Sequence, residues 1–364
     1  MRFRCVCVWV ALAFGGVVPA VGQQWLSLEG IADGEFWATD SGSTVAARNN
    51  GHPAPAGRVQ LLAGVEAQRI ELLFMGEVEG GKANEDGETD WEYDQLMLRI
   101  LAARFAVIDI GKFPSPLGAF ANRRLSTINP LIGEPDGYPT VYPWGAMLNG
   151  TAWRVDYRAG AMSLPATHED YSPDPTPVLR PVFGAGITPI PELRLGTSFT
   201  WGPYLNDELG PVLPAGADWQ AYKQRVLAFD TRFSLGYFEM HAELGLSSYD
   251  VPTQTSPVDG IAYYVEGKQT WSARLFNAVR FERNDYPFIR PVSATQWVAQ
   301  RVDGYNTEVG AGFRIDRSTT LKASYRWQWW SIAPALRSVL LDGYALAFQL
   351  SYNFDPREWV ERMH

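Results

Sequence analysis

The chain has 364 residues, 46% of them hydrophobic and 20% charged, which excludes disorder and leaves room for one large domain. With 14 Trp, 16 Tyr and 18 Phe beside 34 Gly and 25 Pro, the composition favours short β-strands punctuated by turns over long helices. A formal net charge of −9 excludes sequence-independent nucleic-acid binding as a design principle.

At the N-terminus, Arg2 and Arg4 precede an apolar run from Cys5 to Val18, and Ala20 and Gly22 place small residues before Gln23. This predicts a signal peptide over residues 1–22. Both cysteines of the chain, Cys5 and Cys7, lie in the segment to be removed, so the mature protein is expected to have no disulfide, thiolate metal site or Cys nucleophile. After residue 22 no apolar run approaches the 18 or so residues of a membrane helix, so any membrane crossing must use strands.

The rest of the chain reads as alternating segments, predicted at 25–38, 58–66, 69–79, 91–101, 104–113, 146–157, 160–167, 179–188, 192–202, 222–233, 237–248, 260–268, 273–283, 305–315, 319–330 and 343–354. The last is the clearest: Tyr344, Leu346, Phe348, Leu350, Tyr352 and Phe354 alternate with small or polar residues. Its length, at about 3.3 Å per residue, suits a tilted strand crossing a bilayer, and aromatics at both ends suit the two interfaces. Alternation alone fits a soluble sandwich equally well, with the faces inverted. Loop rhythm separates the two, because short turns near Ala67-Gln68, Ala102-Ala103, Arg158-Ala159, Pro189 to Pro191, Ser234 to Gly236, Gln269 to Ser272 and Arg317-Ser318 alternate with long connections. That rhythm predicts an all-β fold, a transmembrane antiparallel up-and-down β-barrel of about 16 strands over residues 23–354. Short periplasmic turns lie at one end and long outer loops at the other, and residues 355–364 form a short periplasmic tail.

Candidate functional residues follow from this plan. The longest connection, Pro114 to Gly145, is the third outer loop, and its Arg123, Arg124, Glu134 and Asp136 are candidate pore-constriction residues if it folds inward. By alternation, the pore-lining set is Arg154, Asp156, Arg158, Arg194, Asp230, Arg232, Glu239, Glu243, Arg280, Glu282, Arg314 and Arg326. Mixed rows of guanidinium and carboxylate keep a lumen wet and orient polar solutes. The four histidines do not form a metal-ligand pattern, Gly-x-Ser-x-Gly is absent, and no catalytic residue, metal or cofactor is assigned.

The stretch Asp109-Ile110-Gly111-Lys112-Phe113 with Pro116-Leu117-Gly118 resembles the strand-to-loop segment of Gram-negative porins, especially the phosphate-selective porin and related β-barrel porin families. Val279-Arg280-Phe281-Glu282-Arg283 and the last strand resemble later strands of the same families. Two departures stand beside the likeness: ten residues follow Phe354, and the chain has only five lysines. The resemblance implies an outer-membrane protein of a Gram-negative bacterium, often a homotrimer. Its partners would be outer-membrane lipid and small hydrophilic solutes, anions among them, with no nucleic acid and no enzyme activity. A soluble secreted β-rich binding or carbohydrate-active protein is the alternative reading, and an outer-membrane barrel hydrolase of phospholipase type is the third.

Overall fold

A computed structural model describes residues 25–39, 53–81, 89–136, 142–163, 178–332 and 342–357. The expected signal peptide and most of the expected tail lie outside these residues. The described chain forms sixteen strands: β1 (Leu26–Thr39), β2 (Ala54–Ala67), β3 (Ile70–Gly81), β4 (Asp90–Ala103), β5 (Ala106–Lys112), β6 (Trp144–Ala152), β7 (Val155–Met162), β8 (Arg180–Ile190), β9 (Leu193–Pro203), β10 (Lys223–Leu235), β11 (Phe238–Tyr249), β12 (Val258–Thr270), β13 (Leu275–Ser293), β14 (Gln296–Arg314), β15 (Thr319–Ile332) and β16 (Gly343–Phe354). Each pairs antiparallel with its sequence neighbour, and β1 pairs with β16 from Gly30↔Phe354 to Thr39↔Ala345, so the sheet closes on itself. Closure removes every open edge, the condition for β-structure in a bilayer.

Alternation decides which way the barrel faces. On β16, Tyr344, Phe348, Leu350 and Tyr352 are exposed whereas Ala345, Ala347, Gln349 and Ser351 are buried. The same inversion holds for Phe183, Ile187, Phe229, Val279 and Leu321 on other strands, all exposed, while Asp33, Glu77, Asp230, Glu266, Arg280 and Glu308 are buried. A soluble sandwich places its apolar face inside. Here it forms a belt around the outside, far larger than the exposed apolar patches of soluble proteins.

Two boundaries differ from the sequence reading. The expected strand 146–157 breaks at Trp153-Arg154, where Trp153 adopts φ +57° and the two-residue turn joins β6 to β7. The expected long loop after residue 283 is instead a hairpin, since β13 and β14 remain paired up to Ser293↔Gln296. Above Asp285 the ladder between β12 and β13 has ended. Pro287 and Pro291 therefore lie where β13 has no second neighbour, the position in a sheet that tolerates proline. This hairpin packs Ile289 and Trp297 against Tyr204, Leu205, Leu213, Tyr249 and Val251, an apolar cluster at the long-loop end of the barrel. Trp297 Nε1 donates to the Val212 carbonyl at 2.9 Å.

Candidate functional site

The segment between β5 and β6 enters the barrel. It starts at Phe113, whose N–H donates to the Pro143 carbonyl at 3.1 Å, and Leu117, Phe120, Leu131 and Ile132 along it are buried. Gly118, at φ +65°, donates its N–H to Ser198 Oγ of β9 at 3.2 Å and receives Arg158 Nη2 of β7 on its carbonyl at 3.2 Å. A 3-10 turn, Phe120–Arg123, follows, with the Phe120 ring edge-on to Tyr264 of β12.

Arg123 and Arg124 leave this turn in opposite directions. Arg123 pairs with Glu266 of β12 at 2.5 Å. Arg124 reaches Asp94 of β4 at 3.4 Å and Glu77 of β3 at 3.6 Å, and its own loop's Glu134 at 3.1 Å. β4 and β12 are eight strands apart in a ring of sixteen, so two adjacent guanidinium groups brace diametrically opposite walls. Burial works against the Arg124 charge, but Glu134, Glu77 and Asp94 around it outweigh that and raise its pKa above the ordinary arginine value. Burial also pushes the neighbouring Tyr142 phenol up to about 12.

Beyond the turn the loop is tied to the remaining walls. Ser126 Oγ donates to Asp33 of β1 at 2.7 Å. Lys322 of β15 donates to the carbonyls of Ser126 and Asn129, at 2.5 and 2.8 Å. The N–H groups of Ile132 and Gly133 donate to Glu308 of β14 at 3.3 and 3.0 Å. Asp136 N–H donates to Glu282 of β13 at 2.8 Å, and its carboxylate takes Arg326 of β15 at 2.6 Å and Asn306 of β14 at 2.5 Å. Beneath these contacts Arg280 holds Glu266, Glu282 and Glu308 at 3.2, 2.8 and 2.8 Å, with every one of these side chains at most 1% exposed.

The sequence-predicted residues thus fall into separate places. Arg123, Arg124, Glu134 and Asp136 lie inside the barrel on the loop. Arg280, Glu282 and Arg326 face inward but are buried under that loop, where they anchor it. Asp156, Arg158, Arg194 and Asp230 gather on the β7–β10 wall: Arg194 bridges Asp156 at 2.7 Å and also pairs with Asp230. Glu239 pairs with Lys268 at 2.9 Å and Glu243 accepts from the Tyr264 hydroxyl at 2.6 Å. Arg232 and Arg314 face inward near the short-turn end, Arg314 donating to the Ala273 carbonyl at 3.1 Å. Arg154 is a correction. It sits in the β6–β7 turn and donates to the Pro189 carbonyl at 2.5 Å; the sequence reading put it on a strand since no Gly, Pro or Asn marks that turn. Missed were Asp33, Glu77 and Asp94, though inward alternation on β1 and β3 singles out the first two.

The loop is tied to the wall at β1, β3, β4, β7, β9 and β12 to β15. Under it, along β3 to β7, a cavity of about 620 Å³ remains, lined by Glu71, Arg99, Asp109, Asn149, Asp156 and Arg158 of the wall and by Pro114 and Asn122 of the loop. Arg99 pairs with Asp109 at 2.8 Å, and Asn149 donates to the same carboxylate at 2.7 Å. Charged groups on this wall keep partners while still meeting open space.

No family model matches the chain, and no curated protein matches it in sequence. Solved structures match its fold. OmpT, an outer membrane protein of Vibrio cholerae, superposes in its trimer form with a TM-score of 0.56 at 11% identity, covering 90% of this chain and 99% of that one. OmpF of Salmonella typhi, in a complex with daunomycin, gives a TM-score of 0.61 at 10% identity, covering 90% and 97%.

Proposed function

We propose that the chain is an outer-membrane channel of a Gram-negative bacterium, a homotrimer through which small hydrophilic solutes diffuse passively without chemical change. One observation carries this reading: a barrel apolar outside and charged inside, with a long loop braced across its bore and a cavity, lined in part by charged groups, left beside it. The likeness to outer-membrane barrels, one of them a trimer form, supports the location and assembly. Beside the Arg124 strut the wall along β3 to β7 stays open to the cavity, and the guanidinium and carboxylate groups there suit hydrated polar solutes over apolar ones.

Purified protein inserted into planar bilayers tests the proposal. Stepwise increases in ion current are expected on insertion. If folded barrel inserts without conducting, the reading fails. Hydrolysis of the bilayer phospholipid by the same preparation would instead favour a barrel hydrolase.

A further inference from the structure

Beneath the third outer loop, the register of β4 to β7 sets polar side chains side by side along the inner wall. Arg99↔Asp109 and Asn149↔Arg158 are cross-strand pairs, and Val107↔Asn149 joins the two hairpins. They face the cavity of about 620 Å³, which Pro114 and Asn122 of the loop bound on one side and Arg104 and Phe105 of the β4–β5 turn bound at the short-turn end. That volume lies within the range of about 300–1,000 Å³ usual for small-molecule sites. Beside the polar groups, Leu101, Phe105, Val107, Pro114 and Met147 give the same cavity an apolar side.

The polar groups hold one another in place and keep capacity for a ligand. Arg99 spends Nε and Nη2 on Asp109, at 2.8 and 3.3 Å, and its Nη1 stands 3.8 Å from Glu71, beyond ordinary hydrogen-bond reach. Asn149 donates from Nδ2 to Asp109 at 2.7 Å and keeps Oδ1 as an acceptor. Arg158 donates from Nη2 to the Gly118 carbonyl at 3.2 Å, with Asp230 4.0 Å away, and keeps further N–H donors. Three guanidinium groups, of Arg99, Arg104 and Arg158, line the cavity against three carboxylates, of Glu71, Asp109 and Asp156. Asp109 and Asp156 are each already engaged by an arginine. With the charges balanced, an ion gains no net attraction and must compete with a partner in place. A hydroxyl, donor and acceptor at once, bridges a spare N–H and a spare carboxamide oxygen without that competition.

We infer that this cavity is a binding subsite for a neutral ring-shaped polyol, a monosaccharide or short saccharide. Its hydroxyls meet Arg99, Asn149, Arg158 and Asn122, and its C–H face lies on Leu101, Val107 and Pro114. The inference rests on the channel reading, because it takes the cavity as part of the solute's path, and it adds which class of solute dwells there.

Three hexose relatives of similar size test it on single channels in planar bilayers: neutral methyl α-D-glucopyranoside, anionic D-glucuronate and, in mildly acidic buffer, cationic D-glucosamine. The glucoside is expected to reduce the ion current saturably, at a concentration at least about tenfold below that needed for either charged relative, a preference of about 1.4 kcal/mol. Asn149→Ala should raise the half-blocking concentration severalfold. Asn122→Ala, at an exposed loop position, should do the same without disturbing the wall, and heat-modifiable migration on gels confirms that each variant is folded. Equal block by all three compounds, stronger block by a charged one, or a glucoside block that survives both substitutions would overturn the inference and leave the channel standing. A folded barrel that carries no current defeats the channel reading instead. Saturation-transfer NMR of the glucoside on the barrel in detergent then reads the site by itself: a signal lost in Asn149→Ala sustains it, and no signal overturns it.

Discussion

Arg280 is the best-enclosed charge of the barrel, and its three carboxylate partners are buried with it. Removing one partner from such a network strands the others in a medium that solvates them poorly, at a cost of about 3–5 kcal/mol. Arg280→Ala is therefore expected to lower barrel stability by that order, read as a shift in the urea midpoint of the heat-modifiable species. Arg124 makes a different prediction. Its substitution by alanine leaves Glu77, Asp94 and Glu134 without the guanidinium they share. The reversal potential in unequal salt should move toward cation preference, with the barrel still folded. Arg123→Ala should move it less, since Glu266 keeps Arg280. At the short-turn end, Asp316 accepts from the N–H groups of Ser318 and Thr319, both at 2.8 Å, and these bonds hold its carboxyl below the usual range. A folded pKa below the unfolded one stabilises above the unfolded value and is lost as pH falls through the folded one. The stability difference between wild type and Asp316→Ala should thus be present at neutral pH and close in acid, below about 3.9.

Among the elements, the third outer loop carries the most weight. Deleting residues 120 to 135 removes both struts and is expected to raise single-channel conductance severalfold. Conductance unchanged by that deletion would place the constriction elsewhere. Much of the element plan was legible because strands whose two faces meet lipid and water must alternate, as β15 and β16 do without a break. Where a boundary escaped, the chemistry that would have marked it was absent or misleading. Trp153-Arg154 turns with no turn residue, and Pro287 and Pro291 look like loop because their free strand edge is invisible in sequence. That Pro114 to Gly145 was long and polar could be read directly. Its partners could not: Glu266, Glu308 and Lys322 lie well over a hundred residues further on, and no local pattern records such pairings.

At the scale of the whole molecule, β13 and β14 are the longest of the described strands, at 19 residues each. The β13–β14 hairpin and the cluster around Trp297 raise the rim over β10 to β14. The proposed homotrimer should appear as a threefold cross-linked species in detergent, and cross-linking that yields monomer alone would remove it. Trp297→Ala is expected to loosen the raised rim, at about 3–5 kcal/mol for a large buried aromatic. Limited proteolysis of Tyr204 to Tyr222 should report it while the barrel itself stays intact.

The loop's ties to Asp33 on β1 and to Lys322 on β15 lie on either side of β16, the strand whose pairing with β1 closes the ring. The first and last strands are separated by most of the chain, and hairpins form by local pairing long before so distant a contact. A segment made early, already seated on the growing sheet, would meet the two ends when they arrive and act as a clasp. Closing the cylinder and seating the loop then become one kinetic event. Ser126→Ala combined with Lys322→Met should slow the last phase of refolding into detergent, with the earlier rise of β-structure unchanged in stopped-flow circular dichroism.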